Sequence, residues 1–435
     1  MRKIAFKNIN AGDSQGSVPG TALFIVVSLS LVIAILCSSI ILTAYYFKLQ
    51  YQKSERWNLL ERNLHSGLAL LLSEKGDKDS LSVGTLPGTE DDSVRLERYS
   101  WGLWRIGLCR SFIQKDTLLA AISIAPSMDS LKTLTLYLAD EDRPVSVCGN
   151  TFIRGNASVP VAGVQEAYID NRAYTGDKRY ILGKKQKSDR HLPPIDTLRL
   201  EAWKSYVQNL KTTDTTLHRG DSLNVSFFKP LRVIRLGKKA LSLSQVYLSG
   251  HVLLLSDTIL KIDSTCHLEN VIVMAKDLRL QHGFRGKGQF TGLRNLYLEK
   301  NTLLDYPSVL GVMTHGKRLG PSPQITLERN CRLQGVLFLQ PSTYNSLDAF
   351  MDLGKKTTIE GMVYAPSRIR LGDSCRFDGG FYAHRVLFSS GSTNFENFIM
   401  DARMDIKGLS PYYLTSSIFP WSTSNNQILQ WLERK

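Results

Sequence analysis

One short pattern constrains this chain more than any other feature: a 15-residue unit that returns between Leu260 and Met400. Residues 260–274 read LKIDSTCHLENVIVM and 325–339 read ITLERNCRLQGVLFL. Residues 351–365 read MDLGKKTTIEGMVYA and 369–383 read IRLGDSCRFDGGFYA. TNFENFIM repeats the second half of a unit starting at 387, and weaker copies start at Leu278 and Leu296. Starts at 260, 278 and 296, and at 351, 369 and 387, are 18 residues apart. Strand-like pieces at a fixed short period predict a solenoid in which each coil buries its apolar residues on the next.

Position within the unit predicts which way each side chain faces, because strands alternate sides every residue. The third position holds Ile262, Leu298, Leu327, Leu353 and Leu371, and the ninth holds Leu268, Leu304, Leu333, Ile359, Phe377 and Phe395; both should face inward. The seventh alternates Cys266, Thr302, Cys331, Thr357, Cys375 and Thr393, small residues suited to an inward bend. The eleventh holds Asn270, Gly335, Gly361, Gly379 and Asn397, residues that tolerate positive φ at a corner. The tenth holds Glu269, Asp305, Gln334, Glu360, Asp378 and Glu396, expected to face outward in one column. That column reads either as a solvated face relieved by Lys287, Arg332 and Arg376, or as a docking or cation-binding edge.

The rhythm Gly-x-apolar-x-Ala, gap, apolar-x-apolar in GMVYAPSRIRLGDSCRFDGGFYAHRVLF, residues 361–388, resembles bactofilins. That resemblance implies a β-helical scaffold that polymerises. The chain departs from it in its long insertions, its few glycines and the segments ahead of the repeats.

Residues 22–47 carry no charge and are long enough to cross a bilayer as one helix. Tyr45 and Tyr46 stand at the far edge, where aromatic residues favour the interface. The tail carries Arg2, Lys3 and Lys7; the rear flank carries Lys48, Lys53, Arg56 and Arg62. The short tail reads as a signal anchor, which places the body outside an inner membrane. Residues 48–75 continue as an amphipathic helix whose apolar face is Trp57, Leu60, Leu64, Leu68 and Leu71. With GTALFIVVSLSLVIAILCSS at 20–39, this plan resembles minor pilins and pseudopilins, which implies a stem that inserts in a membrane or helical bundle. The usual glutamate near the start of that stem is absent.

The expected organisation is a tail at 1–21, a membrane helix at 22–47, an amphipathic helix at 48–75 and a small β-rich domain at 76–143. A parallel β-helix of about 18 residues per coil follows at 144–400, interrupted by an insertion at 171–230, with a C-terminal cap at 401–435. The first coils are expected at 144–170 and the resumption near Leu231. Within the insertion, Asp196 should cap a helix; STSNNQILQWLERK, with Ile428, Leu429, Trp431 and Leu432, should form an amphipathic helix over the last coil.

Six cysteines show neither disulfide spacing nor a CxxC or zinc pattern, although a Cys266–Cys331 bridge is conceivable if those coils stack. The net charge of +15 favours anionic partners. Its densest patch is Lys178, Arg179, Lys184, Lys185, Lys187 and Arg190, which reads as a solvated loop or as a surface for an anionic glycan. No nucleic-acid-binding motif surrounds it, and a nucleic-acid partner is not expected. Asp263, His267, His282, Asp373 and His384 are candidate catalytic groups, but no motif pairs them. The expected function is therefore a membrane-anchored envelope scaffold acting by assembly, with no cofactor and no enzymatic activity. The alternatives are a glycan-binding or polysaccharide-acting β-helix and a cytoplasmic bactofilin-like polymer.

Overall fold

The computed structural model describes residues 20–73, 82–84, 92–210, 216–237, 241–314, 322–340 and 348–435. The basic tail with Arg2, Lys3 and Lys7, and most of the polar linker 76–92, lie outside them. The chain divides into a first unit, Met1–Arg62, and a second, Asn63–Lys435. A single helix, α1 (Gly20–Ser73), runs across that boundary. Its apolar half has no proline or charge to interrupt it, and Ser28, Ser30 and Thr43 bond to the helix's own carbonyls of Phe24, Val27 and Ser39. These three hydroxyls therefore need no partner from outside the helix.

Among the described residues the second unit is mainly β, built around a 20-stranded sheet in which all but one strand pairing are parallel. Leu260, Leu278, Leu296, Ile325, Met351 and Ile369, the first residues of six repeat units, pair each with the next. Leu304, Leu333, Ile359 and Phe377 form a second column, which continues through Met404 and Ile153 to Ile181. Every member of both columns is buried. Each such side chain contributes roughly 1.5–3 kcal/mol by leaving water.

The corners follow from the same stacking. Gly335, Gly361 and Gly379 have φ of 143–144°, and Asn270 and Asn397 have φ of 58° and 60°. A Cβ at Gly361 would collide with the Gly335 carbonyl oxygen, and one at Gly379 with that of Gly361. Thr302 and Thr357 hydroxyls donate to the carbonyls of Glu299 and Gly354, and the Cys331 and Cys375 thiols point to the same two oxygens at 3.3 and 3.4 Å. A small weak donor is thus what the seventh position requires. Burial pushes the Cys331 thiol up to about 11 and that of Cys375 to about 12. All six cysteines are free, so the Cys266–Cys331 bridge does not form.

Short runs such as VIVM, VLFL and MVYA are apolar at every position because both faces of the sheet are covered there. Val273, Leu337 and Val363 point into the column core. Their neighbours Ile272, Met274, Val336, Phe338, Met362 and Tyr364 face a second layer. That layer is an antiparallel sheet of Ser82–Gly84, Asp92–Trp101, Trp104–Ile113, Asp116–Met128 and Ser422–Arg434. Trp101 and Trp104 are buried in the interface as core aromatics. Gln289 fastens the two layers: its Oε1 accepts from Leu103 N at 2.8 Å and its Nε2 donates to Trp101 O at 2.7 Å. On the outer face, Leu64, Leu68 and Leu71 of α1 pack on Val94, Leu96, Cys109, Ile122 and Ile124. Trp57, expected on that seat, is instead 52% exposed.

Three expectations about order and type need correction. First, the strands do not stack in chain order. Val145–Cys148 pairs with Phe398–Met400, and Phe152–Arg154 with Arg403–Asp405, so residues 136–187 extend the sheet beyond its C-terminal strands. The segment beginning near Leu231 lies at the opposite end, where, among the described residues, Ser222–Val225 and Arg232–Leu236 pair only with the strands that follow them. Residues 171–230 are therefore a crossing from one end to the other. They carry the final strands Ile181–Leu182 and Lys185–Lys187 as well as helix α2 (Thr197–Asn209), which Asp196 caps as expected.

Second, the last repeat is broken. A register shift between Ala365 and Arg368 moves Val386, not Leu387, opposite Ile369. The chain then turns through Gly391 at φ 59°, and Thr393–Glu396 returns antiparallel to Arg376–Ser390. Thr393 is exposed in consequence, outside the inward column.

Third, Ser422–Arg434 is a strand, not a helix. Its pairing skips at Leu429 and Leu432, which turn both leucines toward the inter-sheet core while Ile428 faces the α1 side. Two bulges three residues apart imitate helical spacing. The open edge of Asp116–Met128 offers a row of backbone partners that a short isolated helix lacks.

Candidate functional sites

The acidic column is discontinuous. Gln334, Glu360 and Asp378 are adjacent across three strands. Arg332 forks onto Glu360 at 3.1 and 2.6 Å, and Gln334 donates to its other oxygen at 2.7 Å. Asp378 does not face water: it is 2% exposed, lies beneath Gly408, and is bonded to Arg376 Nε at 2.6 Å. Glu269 stands opposite Lys287, 3.3 Å away. Asp305 is exposed, in a stretch where the register shifts between Leu304 and Ser308. Glu396 sits on the reversed strand, held by Arg143 and Arg385. Among the described residues, no group of three or more His, Cys, Asp or Glu side chains converges as a metal site.

The basic patch lies at the end of the sheet. Lys178, Arg179, Lys184, Lys185, Lys187 and Arg190 are all exposed. Arg179 is bonded to Asp177 and Arg190 to Asp142. The four lysines meet no carboxylate among the described residues. Lys185 and Lys187 occupy the outermost strand, which pairs on one side with Ala157–Val159. Strand alternation puts both on one face, and lysines on a terminal strand oppose edge-to-edge aggregation.

The five candidate catalytic groups each serve a local partner. Asp263 accepts from Thr265 N at 2.9 Å, and His267 stacks on Tyr247 with centroids 4.9 Å apart. His282 Nδ1 lies 2.9 Å from Lys300 O, and Asp373 pairs with Lys355 at 2.9 Å. His384 lies 3.2 Å from Glu141, which also takes both arms of Arg385. Burial lowers the His384 pKa against the opposing pull of Glu141.

A cavity of about 630 Å³, not anticipated from the sequence, lies beside α2. Its walls include Leu198, Arg199, Ala202, Trp203 and Tyr206 from the helix, with Tyr99, Leu231 and His251 opposite. Leu200, Trp203 and Val207 bury one stripe of α2 in the inter-sheet core, while Leu198 and Tyr206 remain 82% and 50% exposed. The signal was a second apolar stripe at Leu198, Ala202 and Tyr206, spaced by four.

No family model and no curated protein matches the chain. Among solved structures, the competence-associated pilin ComZ from Thermus thermophilus aligns over 82% of this chain and 86% of that one, at 8% identity and a TM-score of 0.23. At that score the likeness establishes neither fold nor role.

Proposed function

We propose that this protein is held in an envelope membrane by the apolar half of α1 and works by assembly or docking through its β-rich body, which stands outside the inner membrane. We further read the parallel sheet as a β-helix whose coils average about 18 residues. The observation that carries the anchoring is α1 itself. It is continuous from Gly20 to Ser73, and its most apolar window has none of its residues buried within the protein. Twenty-eight residues from Gly20 to Phe47 span about 42 Å, enough to cross a hydrocarbon core of about 30 Å with tilt. Leu64, Leu68 and Leu71 fix the end of the helix in the body.

The test joins fractionation to topology. The full-length protein should stay with membranes after alkaline extraction, and deletion of residues 1–47 should release a folded, soluble body. A protease-sensitive C-terminal tag should be cleaved from outside the inner membrane. A protected tag would favour the cytoplasmic bactofilin-like alternative. Alanine at Asp263, His267, Asp373 and His384 should leave cellular function intact. Loss of function with folding and membrane association preserved would favour the enzyme reading instead.

A further inference from the structure

The α2 cavity has a chemistry that neither anchoring nor assembly uses. Its apolar part is largely aromatic: Tyr99, Trp203, Tyr206 and the His251 ring. Trp203 and Tyr206 lie 5.6 Å apart with planes 32° from parallel, and Tyr206 is half exposed. The polar part is small and of mixed sign: Asp196, Arg199 and Ser100.

His251 is the most informative residue. It is 8% exposed, wedged against Trp101 at 4.9 Å and Phe227 at 5.3 Å, and its Nδ1 lies 2.9 Å from Lys229 O. A carbonyl only accepts, so Nδ1 carries the proton and Nε2 of the neutral ring is an acceptor. Burial lowers the ring's pKa, which favours this neutral form. Nε2 has no hydrogen-bond partner among the described residues, although the ring lines the cavity. The ring is mostly buried but opens on the cavity, where this acceptor can take a donor from a ligand.

We propose that this cavity binds a neutral pyranose unit of a glycan. Asp196 disfavours an anion and Arg199 disfavours a free cation. An alkyl chain would cover the aromatic walls but leave His251 Nε2 unpaired. A sugar fits these walls: its C–H face stacks on the half-exposed Tyr206 ring, one hydroxyl donates to His251 Nε2, and others donate to Asp196 or accept from Arg199. The site is distinct from the basic strand end and does not depend on how the protein is anchored.

The experiment uses the full-length protein in nanodiscs, titrated with chitohexaose, cellohexaose and maltohexaose while tryptophan emission is recorded. At least one hexasaccharide should give a saturable change. Tyr206→Ala, which truncates a half-exposed ring, should weaken its binding about tenfold. His251→Phe keeps the aromatic shape and removes the acceptor, and should weaken binding at least as much. No response to any of the three sugars overturns the proposal. So does wild-type affinity in Tyr206→Ala with its melting temperature unchanged. Saturation of the cavity by the apolar probe anilinonaphthalene sulfonate that the sugars fail to displace also overturns it.

Discussion

At the residue scale, this protein separates positions that look alike in sequence. Gly361 and Glu360 are neighbours in the repeat, yet one is fixed by backbone and the other by solvent. Gly361 holds φ at 143° with the Gly335 carbonyl against its α-carbon and the Tyr413 hydroxyl close by. Gly361→Ala should therefore lower stability by about 1–3 kcal/mol or more, because strain and steric conflict act together. Glu360→Gln should cost less than about 1 kcal/mol, since the Arg332 ion pair and the Gln334 bond that it disturbs are partly exposed. Thermal melts of the two variants check both values, and equal shifts would contradict the assignment. Asp378 shows the limit of such reasoning. It occupies the same repeat position as Glu360, one strand over, but Gly408 covers it.

At the element scale, the C-terminal strand is the part whose type depended most on its surroundings. Ser422–Arg434 pairs at the edge of the antiparallel sheet and also reaches a turn of the parallel one. Glu433 accepts from Phe227 N at 2.5 Å and from Ser226 Oγ at 2.7 Å. Those residues lie in the turn between Ser222–Val225 and Arg232–Leu236, strands at the far end of the sheet. Glu433→Ala leaves a backbone donor without its partner and should cost about 1–3 kcal/mol. Hydrogen exchange should rise at Phe227 and along 222–236 while the 358–390 strands stay protected. A uniform loss of protection would mean that the strand supports the body as a whole.

At the scale of the whole molecule, the reordering of strands sets how the body is stabilised. Residues 136–187 rest on strands that come more than 200 positions later, with Met404 between Phe377 and Ile153 in the core column. Met404→Asp places an unpaired charge in that column, at a position 0% exposed. It should loosen 152–187 first, with exchange rising there before it rises at 260–298. Equal exchange at both ends would show that the sheet opens as one cooperative unit.

The sequence by itself determined which residues face inward along the stacked columns from Leu260 to Phe377, where the corners fall and which segment could cross a membrane. Each is a local property: alternation of Leu298 with its neighbours, the positive φ demanded of Gly335, the uncharged run after Gly20. Asp196 as a helix cap was legible for the same reason. The acidic column and the basic patch were legible as composition, but not as geometry. What lies opposite Glu396 or covers Asp378 depends on residues far away in the chain. Only the tertiary structure decided that 136–187 joins the end of the sheet, that Thr393–Glu396 reverses, and that the last segment is a strand. It alone formed the α2 cavity, whose walls come from around Tyr99, Trp203 and His251. Strand order, edge availability and cavities arise from non-local packing, in which apolar columns of similar width fit one another wherever the chain can bring them together.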